Sequence, residues 1–402
     1  MAGREKALLL LILAFALIQQ LLFATTPDAA FVTFRYADNI AAGHGAVYNL
    51  GERVEGPANF LWLVLVTLPK ALFGVGVAQG AMVLSTACVL GCVLVVHRLG
   101  GRYGLLAAAL TAGVGGWAAA GLAGTELDLF VLLLLATAYA LSTGHPVVTG
   151  VLAALAVMTR PEGLFFAAAA LCWLAVGAAR GQRSWWAPAA CLLGGLVFVV
   201  PWLVWRATYY DQSLVSRPMV AVTASSYGFL LAALLAVVIA RVCASRVRPS
   251  PTPRRRPFLV AAITLTVCAV SLPISAASWS GVAQRRSRVA EAMEIGSWLA
   301  DRLPLGSVIG TGGSSVLAYA VGARLVVVDD YLTTRPPVLI GYQATLDCTG
   351  YQGGYESATF RWDGSGTWVT VFPRDDLFSR LVDRLAADPR LTYVPCPEPP
   401  AG

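Results

Sequence analysis

Charge is scarce in this chain: Asp, Glu, Lys and Arg make up 13% of its 402 residues, against about 25% in a soluble globular protein. With 57% hydrophobic residues, a soluble enzyme is excluded at the outset. Histidine is scarcer still, with His44, His97 and His145 the only three. No His and Cys cluster has metal-ligand spacing, so no cofactor is expected; the alternative is a divalent ion held by carboxylates, which nothing in the sequence demands. Acid is lacking in one part of the chain more than in the other. Residues 1–276 hold nine acidic against 18 basic residues, whereas 277–402 hold 13 acidic residues and 11 Arg. The pattern is a long basic membrane part followed by a slightly acidic tail, and the basic balance is no sign of a nucleic-acid partner.

What is present in abundance is apolar sequence. Stretches long enough, or nearly so, to cross a hydrocarbon core of about 30 Å lie near 7–24, 76–96, 103–121, 127–142, 146–158, 163–179, 185–205, 222–240 and 257–276. The expected fold is therefore an α-helical polytopic membrane bundle of about nine spans. The first run comes after Arg4 and Lys6 without a small-residue cleavage site and reads as an anchor. With the N-terminus cytoplasmic, His97, Arg98, Arg102, Arg180, Arg183 and the run Arg241 to Arg256 all fall on the inner side, as the orientation rule requires. The apolar stretch Phe60 to Phe73 contains Pro69 and Lys70; counting it as a span would invert that pattern, so it is expected as a helix at the outer surface. The tail 277–402 is then extracytoplasmic, and the chain is a multi-pass plasma-membrane protein in contact with the bilayer. Of the nine acids, Asp28, Asp38, Glu52, Glu55, Glu126, Asp128, Glu162 and Asp211 fall at outer span ends or in outer loops, where carboxylates near lipid usually serve a pathway or a site.

The first outer loop, 25–75, carries the densest chemistry. From Asp28 it reads DAAFVTFRYADNIAAGHGAVYNLGERVEGPANFLW, too polar and too specific for a plain connector. Phe31 to Ala42 has helical spacing, and Gly43, Gly45, Gly51 and Gly56 punctuate the next fourteen residues as tight turns. Farther along, GTELDLF at Gly124 to Phe130 and TRPEG at Thr159 to Gly163 stand at the ends of apolar runs.

These three strings resemble bacterial multi-spanning GT-C glycosyltransferases that use polyprenyl-phosphate sugars, most of all the terminal arabinofuranosyltransferases of actinobacterial cell walls. The resemblance covers about residues 28–215 and is most specific from Phe34 to Trp62. It implies a GT-C-like transmembrane domain over 1–276 and transfer of a sugar, arabinofuranose among the candidates, from a polyprenyl-phosphate donor to a cell-envelope glycan or protein acceptor. Two positions depart from the family: its acidic pair is Asp28 followed by Ala29, and its later Tyr-Tyr-Gly-Asp string survives only as Tyr209, Tyr210 and Asp211.

Such a transfer needs one base to take the acceptor proton and cationic or hydrogen-bonding groups to hold the departing phosphate. Asp28, just beyond the first span where a lipid-borne sugar is presented, is the expected base of an inverting reaction; its bland alternative is an N-cap of the helix beginning near Ala29. Arg35, His44, Glu52, Arg53, Glu55, Glu126, Arg160 and Glu162 are the expected substrate-binding residues. For Arg35 and Arg53 the alternative is pairing with Asp38 and Glu52, and Asp38 is expected as a structural partner of Arg35. Arg160 and Glu162 flank Pro161 and could equally form an internal ion pair.

The tail alternates helix and strand signals: a helix over Arg285 to Arg302, strands at Ser307 to Thr311, Arg324 to Asp329 and Thr367 to Phe372, and helices from Ser314 and over Asp375 to Ala387. A small α/β domain is expected over 277–402. Gly310, Gly312 and Gly313 read as a tight turn, since no P-loop Lys comes after them. Cys348 and Cys396, the two cysteines of the outer domain, are expected to form a disulfide or else to stay buried thiols. The competing reading is a non-catalytic GT-C-like binding or scaffold protein of the cell envelope, which Ala29 and the shortened Tyr209 string favour.

Overall fold

The structure is a computed structural model; it describes residues 2–113, 124–210 and 279–303, and in the tail 305, 308–310, 314–328, 358–362, 368–372 and 391–394. It is mostly helical, and the chain divides into two compact units. The first comprises Met1–Thr25, Ala58–Trp62 and Ala81–Trp279; the second, Thr26–Pro57, Leu63–Gly80 and Ser280–Gly402. Most of the stretch 26–80, 58–62 apart, thus groups with the tail rather than with the apolar helices it joins in sequence.

Among the described residues three helices are long and apolar enough to cross a membrane: α1 (Ala2–Phe23), α4 (Val77–Leu99) and α9 (Trp186–Tyr210). Shorter apolar helices are α3 (Phe60–Phe73), α5 (Gly104–Gly113), α6 (Leu127–Ser142), α7 (Pro146–Thr159) and α8 (Gly163–Ala179). At 16 and 14 residues, α6 and α7 rise only about 24 and 21 Å, short of the roughly 30 Å core. The runs expected at 222–240 and 257–276 lie outside the described residues.

The first unit packs by bringing small residues inward. On α7 the buried positions include Gly150, Ala153, Ala154 and Ala156, while Leu10 and Leu21 of α1 and Val197 of α9 are about two-thirds exposed. That inside-out distribution suits helices solvated by hydrocarbon, where close backbone approach replaces the hydrophobic effect as the packing force. Gly150 shows the requirement most sharply: a Cβ there would fall on the Cys191 carbonyl of α9. On α9, a Cβ at Gly194 would stand 2.7 Å from the Val147 carbonyl. A second cluster joins Ile12 and Ala16 of α1 to Val93 of α4 and to Ala108, Ala109 and Ala112 of α5, with Gln19 Nε2 donating to the Ala112 carbonyl at 3.0 Å.

The second unit contains α2 (Ala30–Ala41), most of α3, α10 (Trp279–Arg302), α11 (Ser315–Ala320) and strands β1 (Val308–Gly310), β2 (Val326–Val328), β3 (Ala358–Trp362), β4 (Trp368–Phe372) and β5 (Leu391–Val394). The five strands form one sheet in the order β2-β1-β4-β3-β5. β1 and β2 are parallel, Val308 opposite Val326, with α11 as the crossover that parallel strands need. The remaining pairs are antiparallel. α2 packs on α11, and Gly296 of α10 lets that helix approach the Leu317 carbonyl, which would lie 3.0 Å from any Cβ there.

The tail elements read from sequence at Arg285–Arg302, Ser307–Thr311, Ser314 onward, Arg324–Asp329 and Thr367–Phe372 correspond to α10, β1, α11, β2 and β4. β3 and β5 are additional. The helix expected over 375–387 and both Cys348 and Cys396 fall outside the described residues. Among the described residues Cys88, Cys92, Cys172 and Cys191 are free thiols.

Candidate functional site

The residues singled out in the sequence separate into two groups, one in each unit. In the first unit three distant strings converge. Arg160, the residue after α7, leaves the helix in extended conformation ahead of Pro161, which places its side chain at the break between α7 and α8. Its Nη1 donates to Glu126 Oε1 at 2.7 Å and its Nη2 to Glu162 Oε1 at 2.7 Å. Glu126, just before α6, also accepts from Asn59 Nδ2 at 2.9 Å. Glu162 is buried and Glu126 and Arg160 are half-buried. Burial works against the Arg160 charge, but the two carboxylates overcome it and hold the guanidinium above its ordinary range. The Arg160 guanidinium also lies 6.0 Å from the Phe130 ring centroid.

Asn59 is a partner that sequence reasoning passed over; its signal was its place in the GPANFLW string. Asp128, two residues after Glu126, is buried in the same unit, with Ser85 Oγ donating to its carboxylate. Its membership of the GTELDLF string was the available signal, since an acid inside an apolar helix is rarely idle.

In the second unit Asp28 is exposed, and its carboxylate accepts the backbone N–H of Ser315 at 2.8 Å and of Val316 at 3.1 Å, with Ser314 Oγ at 3.4 Å. Ser314 Oγ in turn accepts the Leu317 N–H. The first three N–H groups of α11, which have no partners inside a helix, are thereby all satisfied. The cap that Asp28 supplies is for α11 and not for α2, whose own N-cap position is Ala29 without a side-chain bond.

Arg35 is 2% exposed, and its donors go to carbonyls: Nε to Tyr48 O at 2.8 Å, Nη2 to Leu325 O at 3.1 Å and Nη1 to Ala318 O. Nη2 also reaches Asn49 Oδ1 at 3.2 Å. The expected Arg35–Asp38 pair does not form; Asp38 instead bonds Lys70 Nζ at 2.7 Å and the Tyr319 phenol. The physical reason is that Ala318 and Leu325 sit at and just beyond the C-terminal end of α11, where orphan carbonyls demand a donor. Asn49 ties the same segment down, with its amide donating to Val327 O at 2.9 Å and its oxygen accepting the Val327 N–H at 3.0 Å.

Of the other expected binding residues, Glu52 accepts from Asn49 Nδ2 at 3.3 Å, Arg53 is exposed and Glu55 half-buried. His44 is exposed between Gly43 and Gly45, whose φ of 83° and 88° only glycine adopts readily. It lines a cavity of about 350 Å³ together with Asp38, Lys70 and Tyr319. Among the described residues no group of His, Cys, Asp and Glu is arranged to hold a metal ion.

Compared with protein families, with curated proteins and with solved structures, the chain matches none.

Proposed function

We propose that the chain is a multi-pass membrane glycosyltransferase of GT-C type, which transfers a sugar from a polyprenyl-phosphate donor to a glycan or protein acceptor at the outer face of the plasma membrane. The observation that carries this reading is the meeting of Asn59, Glu126, Arg160 and Glu162 in one hydrogen-bonded cluster. They come from the three separate strings on which the resemblance rests, and all stand at the ends of apolar helices. A guanidinium paired with two carboxylates at a helix break among apolar segments leaves a net acidic, hydrogen-bonding cluster suited to the hydroxyls of a sugar presented at the lipid surface. Its two carboxylates fix the plane of the fork and lower the cost of burying it.

In the reaction the acceptor hydroxyl attacks the anomeric carbon, the carbon–oxygen bond to phosphate breaks, and polyprenyl phosphate leaves with both electrons of that bond. Attack from the face opposite the phosphate inverts the anomeric centre. Asp28 is the proposed base that takes the hydroxyl proton. The proposed orientation has about nine spans, the N-terminus cytoplasmic and an α/β tail domain outside.

One observation favours a second reading, a non-catalytic scaffold of the envelope: Asp28 and Arg35, the two most promising groups of the loop string, spend their hydrogen bonds on the segment 314–325. Purified protein in lipid, assayed with a panel of polyprenyl-phosphate sugars, separates the two. Transfer from any donor supports the enzyme. Binding of polyprenyl phosphate without transfer supports the scaffold.

A further inference from the structure

The second unit has a cavity of its own, about 350 Å³ in volume, near the lower end of the roughly 300–1,000 Å³ typical of small-molecule sites. Its polar groups are few, and one of them, Asp38 Oδ1, is ion-paired but accepts no hydrogen bond. Lys70 Nζ and Asp38 Oδ1 are 2.7 Å apart; the two side chains are 37% and 29% exposed, while the Oδ1 atom itself is buried. Tyr319 is bonded to the same carboxylate, and burial foremost, then the Asp38 charge, keep its phenol protonated well above the ordinary range. Ala71 and Ala323 supply small apolar wall, and exposed His44 completes the lining.

Charge balance decides what fits. A phosphate or carboxylate would bring its charge against Asp38, and a second cation would stand against Lys70; either must break the existing pair before gaining a partner. Arg35, also on the wall, directs its donors to carbonyls. An uncharged polyol meets no such opposition. Its hydroxyls donate to remaining carboxylate lone pairs and accept from the ammonium, bonds strengthened by the charge on the protein side. Its C–H face can lie on the Tyr319 ring and the alanine methyls. We infer that this cavity is a carbohydrate subsite for one uncharged sugar unit, recognised by Asp38, Lys70 and Tyr319 with His44 beside them. Its role as the acceptor's subsite rests on the glycosyl-transfer reading; its binding does not.

The chain has only two lysines, Lys6 and Lys70, so amine labelling reads the cavity against an internal reference. Full-length protein in nanodiscs is treated with an amine-reactive ester, alone or with neutral pentose or hexose oligosaccharides, an oligogalacturonate or inorganic phosphate, and the two lysine peptides are quantified by mass spectrometry. A neutral oligosaccharide is expected to protect Lys70 but not Lys6, and Tyr319→Phe to raise the concentration needed by about five- to tenfold, the worth of one hydrogen bond. Should Tyr319→Phe lower the melting temperature, His44→Ala at an exposed position takes its place, with a weakening of the same sense. The inference is overturned if no neutral oligosaccharide protects Lys70, if phosphate or oligogalacturonate protects it better, or if the variant that keeps its fold protects as wild type does. Protection without turnover contradicts the transfer reading and leaves the subsite standing; turnover without protection does the reverse.

Discussion

Asp28 caps a helix that begins 287 positions later, its carboxylate accepting the Ser315 N–H at 2.8 Å. Asn is as good a helix cap as Asp, whereas Ala is not. Asp28→Asn is therefore expected to melt within about 0.5 kcal/mol of wild type, and Asp28→Ala to lose about 1 kcal/mol. Equal melting of Asp28→Ala and wild type, measured by thermal or chemical unfolding in detergent, would show that the cap does not hold α11.

Arg35 is expected to be the most damaging single truncation in the second unit. Arg35→Met leaves the carbonyls of Ala318 and Leu325 without this donor in a buried setting, while Tyr48 O keeps Asn39 Nδ2 at 3.1 Å; each orphaned group costs about 1–3 kcal/mol. A loss of about 3 kcal/mol or more is expected, and Arg35→Lys should recover only part of it, because an ammonium cannot reproduce the planar fork. A loss under about 1 kcal/mol would refute the buried network.

For the Arg160 cluster the two sides of the ion pair should differ. Arg160→Met removes the counter-charge of two carboxylates, one of them buried, whereas Glu126→Gln leaves Arg160 paired with Glu162. The arginine variant is expected to lose about 3 kcal/mol and the glutamine variant about 1. Comparable effects in the two, measured as unfolding in lipid or detergent, would contradict the shared-guanidinium geometry.

Much of the fold was legible because apolar runs in a charge-poor chain have few alternatives to helix. The boundaries of α6, α8 and α9 lie within a few residues of the expected 127–142, 163–179 and 185–205. Phe60–Phe73 is a helix, as expected, and it continues through Pro69. β3 (ATFRW) and β5 (LTYV) were missed, although they are no shorter than β1 and β2, because they lack the valine-rich apolar run that marks β1, β2 and β4. The site was legible only in part. Glu162 beside Arg160 is a local pair that spacing suggests, but Glu126 and Asn59 join it through tertiary packing that no window contains. Asp28 was read as a base or as the cap of the helix beginning near Ala29, and Arg35 as a phosphate ligand or a partner of Asp38; each instead bonds backbone groups at the ends of α11, since helix termini hold unsatisfied N–H and C=O groups that sequence does not display. Lys70 was read only as an interruption of an apolar run, because its pairing with Asp38 joins residues 32 positions apart that no local window relates.

The proposed orientation makes a separate prediction. Leu50 and Gln182 are both exposed and fall on opposite sides of the membrane when all arginine-rich turns are cytoplasmic. In a cysteine-free background, Leu50→Cys should react with an impermeant thiol reagent in intact cells and Gln182→Cys only after permeabilisation. The reverse pattern would invert the topology.

The most direct measurement is transfer itself. Wild type and Asp28→Asn are incubated in nanodiscs with radiolabelled polyprenyl-phosphate arabinofuranose or other polyprenyl-phosphate sugars and a cell-wall glycan acceptor, and label on the glycan is tracked with time. Wild type should move label and invert the anomeric centre, and Asp28→Asn, folded and still donor-binding, should be slower by about 10² to 10⁴, the usual cost of a lost base. No label on glycan from any donor, with polyprenyl phosphate still bound, would contradict glycosyl transfer.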